Sequence, residues 1–184
     1  MLIFNLEGEE FKCPTTPDEM SLSQFDEIIA ISNDESLGSI SRCFKMLEFF
    51  GVPEKVLDNL SQKEFVEAYK ALVDYEIPID IEKSIEVNGR TYEAYSGDEF
   101  EFNARTIELI EIAQMKKDNR FASWVMAVVY KDVDLSWTEH KDWNHIKHKA
   151  NTFRKELTGA HVIPLLPRLA RRQMTQLEDA IQKD

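Results

Sequence analysis

Apolar and polar positions alternate along the first residues of the chain, with Phe4 and Leu6 on one side of the pattern, Asn5 and Glu7 on the other, and Phe11 following a Glu7-Gly8 pair. A period of two marks a strand with one buried face, and a glycine-containing pair between two such runs predicts a hairpin. The pattern returns at Ile85 and Val87, with Asn88-Gly89 at the turn and Tyr92 across from it. Asn-Gly is a strong hairpin signal because both residues tolerate positive φ. A shift of 81 positions pairs Gly8 with Gly89, Phe4 with Ile85, Leu6 with Val87 and Phe11 with Tyr92. Asp18-Glu19 and Asp98-Glu99 lie 80 apart, and the shift of 81 resumes from Ile28 with Leu109 to Val52 with Val133.

Segments of helical period follow each hairpin. Ser21 or Ser23 caps the first, with Leu22, Phe25, Ile28, Ile29 and Ser32 at helical spacing. Asn103 caps its counterpart, which carries Ile107, Leu109, Ile110 and Ala113. A second helix is predicted over about Ser39 to Phe50, with Ile40, Cys43, Phe44, Leu47 and Phe50 on one stripe; Gly51 stops it and Pro53 opens a short turn. Its counterpart, about Phe121 to Tyr130, is nearly all apolar and therefore central. A third helix is predicted over about Gln62 to Tyr75, opened by Ser61 and Glu64 as a capping box, and again over about Lys141 to Leu157. Pro78 marks the linker between the halves.

The expected fold is α+β and mostly helical: two hairpin-plus-helices repeats, residues 1–76 and 77–158, packed together. Residues 159–184 have no counterpart in the repeat. Thr158-Gly159 breaks the chain, Pro164 and Pro167 punctuate an apolar stretch, and a last helix is predicted over about Pro167 to Lys183. Arg168, Arg171 and Arg172 cluster at its start, while Leu169, Met174, Leu177 and Ile181 make a thin apolar line. A thin stripe beside arginines suits docking on a partner, which makes Arg168, Leu169, Arg171 and Arg172 candidate partner-binding residues. Packing back onto its own body is the alternative.

Charge sharpens this division. The chain carries a net −12, distributed as −11 over residues 1–81, −5 over 82–139 and +4 over 140–184. An acidic body repels phosphates, so direct nucleic-acid binding is not expected. Acidic body against basic end suits head-to-tail contact between copies. With 43% hydrophobic and 30% charged residues, an ordered globular chain is expected. No apolar run approaches the length of a membrane span and no basic-then-apolar leader opens the chain, so a cytoplasmic protein without a membrane partner is expected. Cys13 and Cys43 are read as buried free thiols.

Candidate chemistry is sparse. His140, His145 and His148 fall on one face if a single helix carries them, a spacing that can bind zinc. Lys141, Lys147 and Lys149 add opposing charge, so a solvated helix face is preferred and no metal or cofactor is expected. Paired carboxylates, as at Glu9-Glu10 and Asp34-Glu35, follow from the acidity of the chain, and no phosphate loop or nucleophile elbow stands out. A non-enzymatic protein is the expectation. Trp137, in the loop before the last helix of the second half, is the aromatic best placed for a partner contact; Trp143 belongs to an apolar face with Ile146, Ala150, Phe153 and Leu157.

One resemblance adds to this. A hairpin followed by Pro14-Thr-Thr-Pro-Asp-Glu-Met-Ser-Leu-Ser-Gln-Phe25 and a helix resembles the start of small proteins of tailed phages of Bacteroidetes and related bacteria, including crAss-like phages, where a "Pro…Trp-Asp-Glu-Ile-Thr-Leu-x-Gln-Phe" phrase follows such a hairpin. Val87-Asn-Gly-Arg-Thr-Tyr92, leading into Phe102-Asn-Ala-Arg-Thr106, is similar to their middle region, so the likeness covers most of residues 1–135. Pro17 stands where that phrase has Trp, and Met20 where it has Ile. The resemblance implies a virion component or tail-assembly chaperone in the host cytoplasm or the virion, with other phage proteins or copies of itself as partners; it carries over no functional residue. The alternative is a small acidic phage inhibitor of a host nucleic-acid-binding or defence protein, favoured by the net −16 of residues 1–139.

Overall fold

The computed structural model describes residues 1–6, 9–73, 80–94, 104–115 and 118–167. The fold is α+β and mostly helical, with two small antiparallel sheets among the described residues. β1 (Leu2–Leu6) pairs with β2 (Glu9–Cys13), setting Phe4 opposite Phe11 and Leu2 opposite Cys13. β3 (Ser84–Val87) pairs with β4 (Arg90–Ala94), setting Ile85 opposite Tyr92. Ile85, Val87 and Tyr92 are buried while Glu86 and Thr91 are exposed, the alternation of a half-buried sheet. Asn88 at φ 53° and Gly89 at φ 73° make the turn, both in the left-handed region that Asn-Gly tolerates.

Helix starts are written locally. Ser21 accepts from Gln24 N and Gln24 reaches back to Ser21 N at 2.9 Å, opening α1 (Leu22–Ser32) with a capping box. Ser61 and Glu64 do the same before α4 (Gln62–Val73), and Ser136 and Glu139 before the short α7 (Trp137–His140). Between them run α2 (Ser39–Phe49), ended by Gly51 at φ 83°, and the short α3 (Glu54–Leu57). The second half adds α5 (Ala104–Met115), α6 (Phe121–Val129), β5 (Tyr130–Asp132) and α8 (Trp143–Glu156). Hairpin, two helices, a short helix and a longer helix thus recur in the same order in both halves, with β5 as an addition.

Three details depart from the sequence reading. The chain leaves α6 at Tyr130, whose ψ of 114° is extended, and β5 joins the open edge of β4 with Ala94 opposite Tyr130. The helix expected over about Lys141 to Leu157 begins only at Trp143, where Asp142 accepts from His145 N at 3.0 Å. Ile40, expected on the buried stripe of α2, is 62% exposed.

The core is built around α6, buried at every position from Ala122 to Val129 and packed by α1, α5 and α8. Phe153 of α8 meets Tyr92 of β4 edge-on at 4.9 Å. The chain then returns to the start of α1: Leu22 N donates to Leu157 O at 2.7 Å, Thr158 bridges Ser21, and Gly159 N donates to Met20 O at 3.1 Å. Two 3-10 turns, Gly159–His161 and Ile163–Leu165, place Val162, Ile163 and Leu165 fully inside. Residues 159–165 therefore belong to the core rather than to a detachable segment, because non-local packing on α1 claims them. Of the helix expected over about Pro167 to Lys183 only Pro167 is described, following Leu166 in helical conformation; residues 168–183, the linker at Pro78 and the cap at Asn103 lie outside the described residues.

Candidate functional site

A helix leaves its first four N–H groups and last four C=O groups without internal partners, and water normally supplies them. α6 is buried from Ala122 to Val129, and side chains from other elements take that place. At its start Asp26, 1% exposed on α1, accepts from Ser123 N at 3.1 Å and from Ser123 Oγ. Burial pushes the Asp26 carboxyl up to about 6, against the opposing pull of the Ser123 hydroxyl and amide and of Arg154. Arg154 Nε lies 3.6 Å from Asp26 as a charge contact without a hydrogen bond, while its Nη2 donates to Glu27 at 3.0 Å. Asp118 accepts from Trp124 Nε1 at 2.9 Å, and Trp124 stacks on Trp143 with centroids 4.9 Å apart.

At the other end His140 and Lys149, 0% and 2% exposed, converge on the carbonyls that close α6. His140 Nε2 lies 3.1 Å from Val128 O; a carbonyl only accepts, so Nε2 carries the hydrogen and Nδ1 is the acceptor. Lys149 Nζ donates to Tyr130 O at 2.6 Å and lies 3.1 Å from His140 Nδ1. Burial lowers His140 to about 3, helped by Lys149, and lowers Lys149 to about 7, with Asp132 opposing and Lys131 adding to the shift. Asp132, 2% exposed, accepts from Asp134 N at 3.0 Å and lies 3.6 Å from Arg90. A carboxyl thus sits at the start of α6, where its dipole favours negative charge, while at its end N–H donors of His140 and Lys149 give the closing carbonyls their partners.

The three histidines do not share a solvated helix face. His140 ends α7 and is fully buried, His145 is half-buried with Nε2 enclosed and lacking a hydrogen-bond partner, and only His148 faces solvent. The expected solvated face fails because Asp142 starts a new helix between His140 and His145. Among the described residues no group of three or more His, Cys, Asp or Glu side chains is placed to hold a metal.

Trp137 opens α7, and Arg168, Leu169, Arg171 and Arg172 lie outside the described residues. Trp143 is half-buried and packs against the core through its stacking on Trp124, as its apolar face implied. Cys13 and Cys43 are free and buried, and burial raises them to about 12 and about 11. Sequence reasoning missed Asp26 and Lys149. The signal for Lys149 was present: it interrupts the face of Ile146, Ala150 and Phe153, and the 81-residue shift sets it on Ala68, itself 1% exposed. A separate pocket of about 180 Å³ lies where Ser32 of α1, Ser39, Arg42, Cys43 and Met46 of α2 and Tyr69 and Leu72 of α4 meet.

Comparison of the chain with protein-family models, with curated proteins and with solved structures finds no match. Among the described residues no helix is long and apolar enough to cross a membrane.

Proposed function

We propose that the chain is a non-enzymatic structural or assembly protein of a tailed phage, a virion component or tail-assembly chaperone, that works through protein–protein contacts. The observation that carries this reading is the face shared by α2 and α4. Ile40 is 62% exposed beside Ser39, and Val66 is 41% exposed one turn before Tyr69, itself 36% exposed; Ser39 and Tyr69 both line the pocket whose floor includes Cys43, Met46 and Leu72. Isolated exposed apolar residues are ordinary, but apolar residues grouped around a pocket suit a partner's side chain. The resemblance at residues 14–25 and 87–106 supports the phage setting, in the host cytoplasm or the virion.

The contact is assigned first to copies of the chain itself, because the net −11 of residues 1–81 and the net +4 of 140–184 are complementary within one sequence. Arg168, Leu169, Arg171 and Arg172 belong to the basic side of that contact, with Trp137 as an aromatic contact beside it; other phage proteins are further partners. Sedimentation velocity tests this. Association is expected at low salt, weaker at high salt, and lost both in the chain ended at Pro167 and in Ile40→Glu/Tyr69→Glu. A monomer under every condition sinks the self-contact.

The net −16 of residues 1–139 favours a second reading, an acidic inhibitor of a host nucleic-acid-binding or defence protein. Steep loss of affinity for a basic host protein in rising salt would support it.

A further inference from the structure

Lys149 is held by geometry that suits a neutral amine. Its Nζ contacts two acceptors, Tyr130 O at 2.6 Å and His140 Nδ1 at 3.1 Å, and a neutral amine has two N–H bonds to give. The ammonium has a third, and among the described residues no further acceptor lies within hydrogen-bond distance and no carboxylate within 4.0 Å. The charged and titratable groups around it come from every neighbouring element. β5 supplies Asp132, which favours the ammonium, and Lys131, which opposes it. β4 supplies the Tyr92 ring, with its centroid 6.0 Å away, and Arg90, turned to Asp132 at 3.6 Å. α7 supplies His140, and α8 itself supplies His145, whose buried Nε2 has no hydrogen-bond partner.

The same two bonds decide what holds α8 in place. Lys149 ties α8 to the end of α6 through Tyr130 O, and to α7 through His140, which in turn holds Val128 O. His140 can accept from Lys149 only while its own ring is neutral. A proton on His140 Nδ1 therefore removes an acceptor from this chain of bonds, and a proton on Lys149 adds a third N–H and a buried charge that no carboxylate within 4.0 Å meets; either one disfavours the closed arrangement of three elements.

We propose that Lys149 and His140 form a pH-sensitive latch, in which protonation of the buried lysine loosens α7 and α8 from the C-terminal end of α6. This is independent of the self-contact proposed above, since it lies in the core and is read on the isolated monomer. The sign follows from the native lysine being pushed from 10.5 down to about 7. Between these values the unfolded chain binds the proton that the native chain refuses, so stability rises with pH. Below about 7 the folded chain takes the proton as well, and the latch opens locally.

Urea unfolding at a series of pH values, with Trp124–Trp143 stacking followed by circular dichroism, tests the latch. The wild type is expected to gain about tenfold in folding equilibrium constant per pH unit above neutrality, and to lose the stacking signal progressively as pH falls through neutrality. Lys149→Met keeps the length and removes the charge, so both changes should vanish. Superimposable pH profiles for wild type and Lys149→Met would overturn the proposal. Should Lys149→Met fail to fold, NMR titration of the Lys149 side chain in the wild type decides instead: a midpoint near neutrality supports the latch, and an ordinary lysine midpoint defeats it.

Discussion

Ending the chain at Thr158 rather than at Pro167 separates two accounts of its last part. The longer truncation removes Val162, Ile163 and Leu165, which are 0%, 2% and 0% exposed, together with the bond from Gly159 N to Met20 O. Fully burying an aliphatic side chain stabilises by about 1.5–3 kcal/mol, which makes about 5–9 kcal/mol for the three. Their loss also uncovers Phe25, against which Gly159 sits. A domain's whole stability is about 5–15 kcal/mol, so the chain ended at Thr158 is expected to lose its cooperative transition. The chain ended at Pro167 keeps all of these contacts and should unfold close to the full chain. Urea titration followed by tryptophan fluorescence and far-ultraviolet circular dichroism compares the three. A chain ended at Thr158 that unfolds cooperatively within about 2 kcal/mol of full length would refute the assignment of 159–165 to the core.

The same junction predicts a point mutation. A Cβ at position 159 would stand 2.8 Å from Phe25 Cγ and 2.9 Å from its Cδ2, so Gly159→Ala should cost about 1–3 kcal/mol in urea unfolding. Asp26→Asn keeps an acceptor for Ser123 N but removes a carboxyl raised from 3.8 to about 6. That carboxyl's contribution is greatest at low pH and falls as pH rises through this window, so the wild-type-minus-variant difference should change by about 3 kcal/mol across it. Asp26→Ala removes the acceptor of Ser123 N and Oγ, while Arg154 keeps Glu27, and should cost about 1–3 kcal/mol at neutral pH. Cys13 and Cys43, raised to about 12 and about 11, should react with a thiol reagent at least on the order of 100-fold faster in urea than in the native state.

What could be read from the sequence was what neighbouring residues decide among themselves. Asn88-Gly89, the Ser61–Glu64 box and Gly51 each act within a few positions, and each does in the fold what its local chemistry dictates. The apolar run from Phe121 announced a central helix for a similar reason. The surprises are non-local. β5 has three residues and exists because β4 offers an edge. Val162, Ile163 and Leu165 read as a proline-punctuated apolar stretch without a counterpart in the repeat, and α1 supplies the surface that covers them. Asp26 and Lys149 sit in otherwise apolar helix faces and pass for solvated charges unless one asks which groups complete the ends of a fully buried helix. The partner residues expected at 168–172 lie outside the described residues, and the face of α2 and α4 is the other side of the proposed contact.

Amide hydrogen exchange across 39–49 and 62–73, with the purified protein dilute and then concentrated at low salt, tests the proposed mode of action most directly. Association through this face predicts slower exchange in both segments at high concentration, with Ile40→Glu/Tyr69→Glu abolishing the difference and the core around α6 unchanged. Equal exchange at both concentrations, alongside protection appearing elsewhere on the surface, would contradict it.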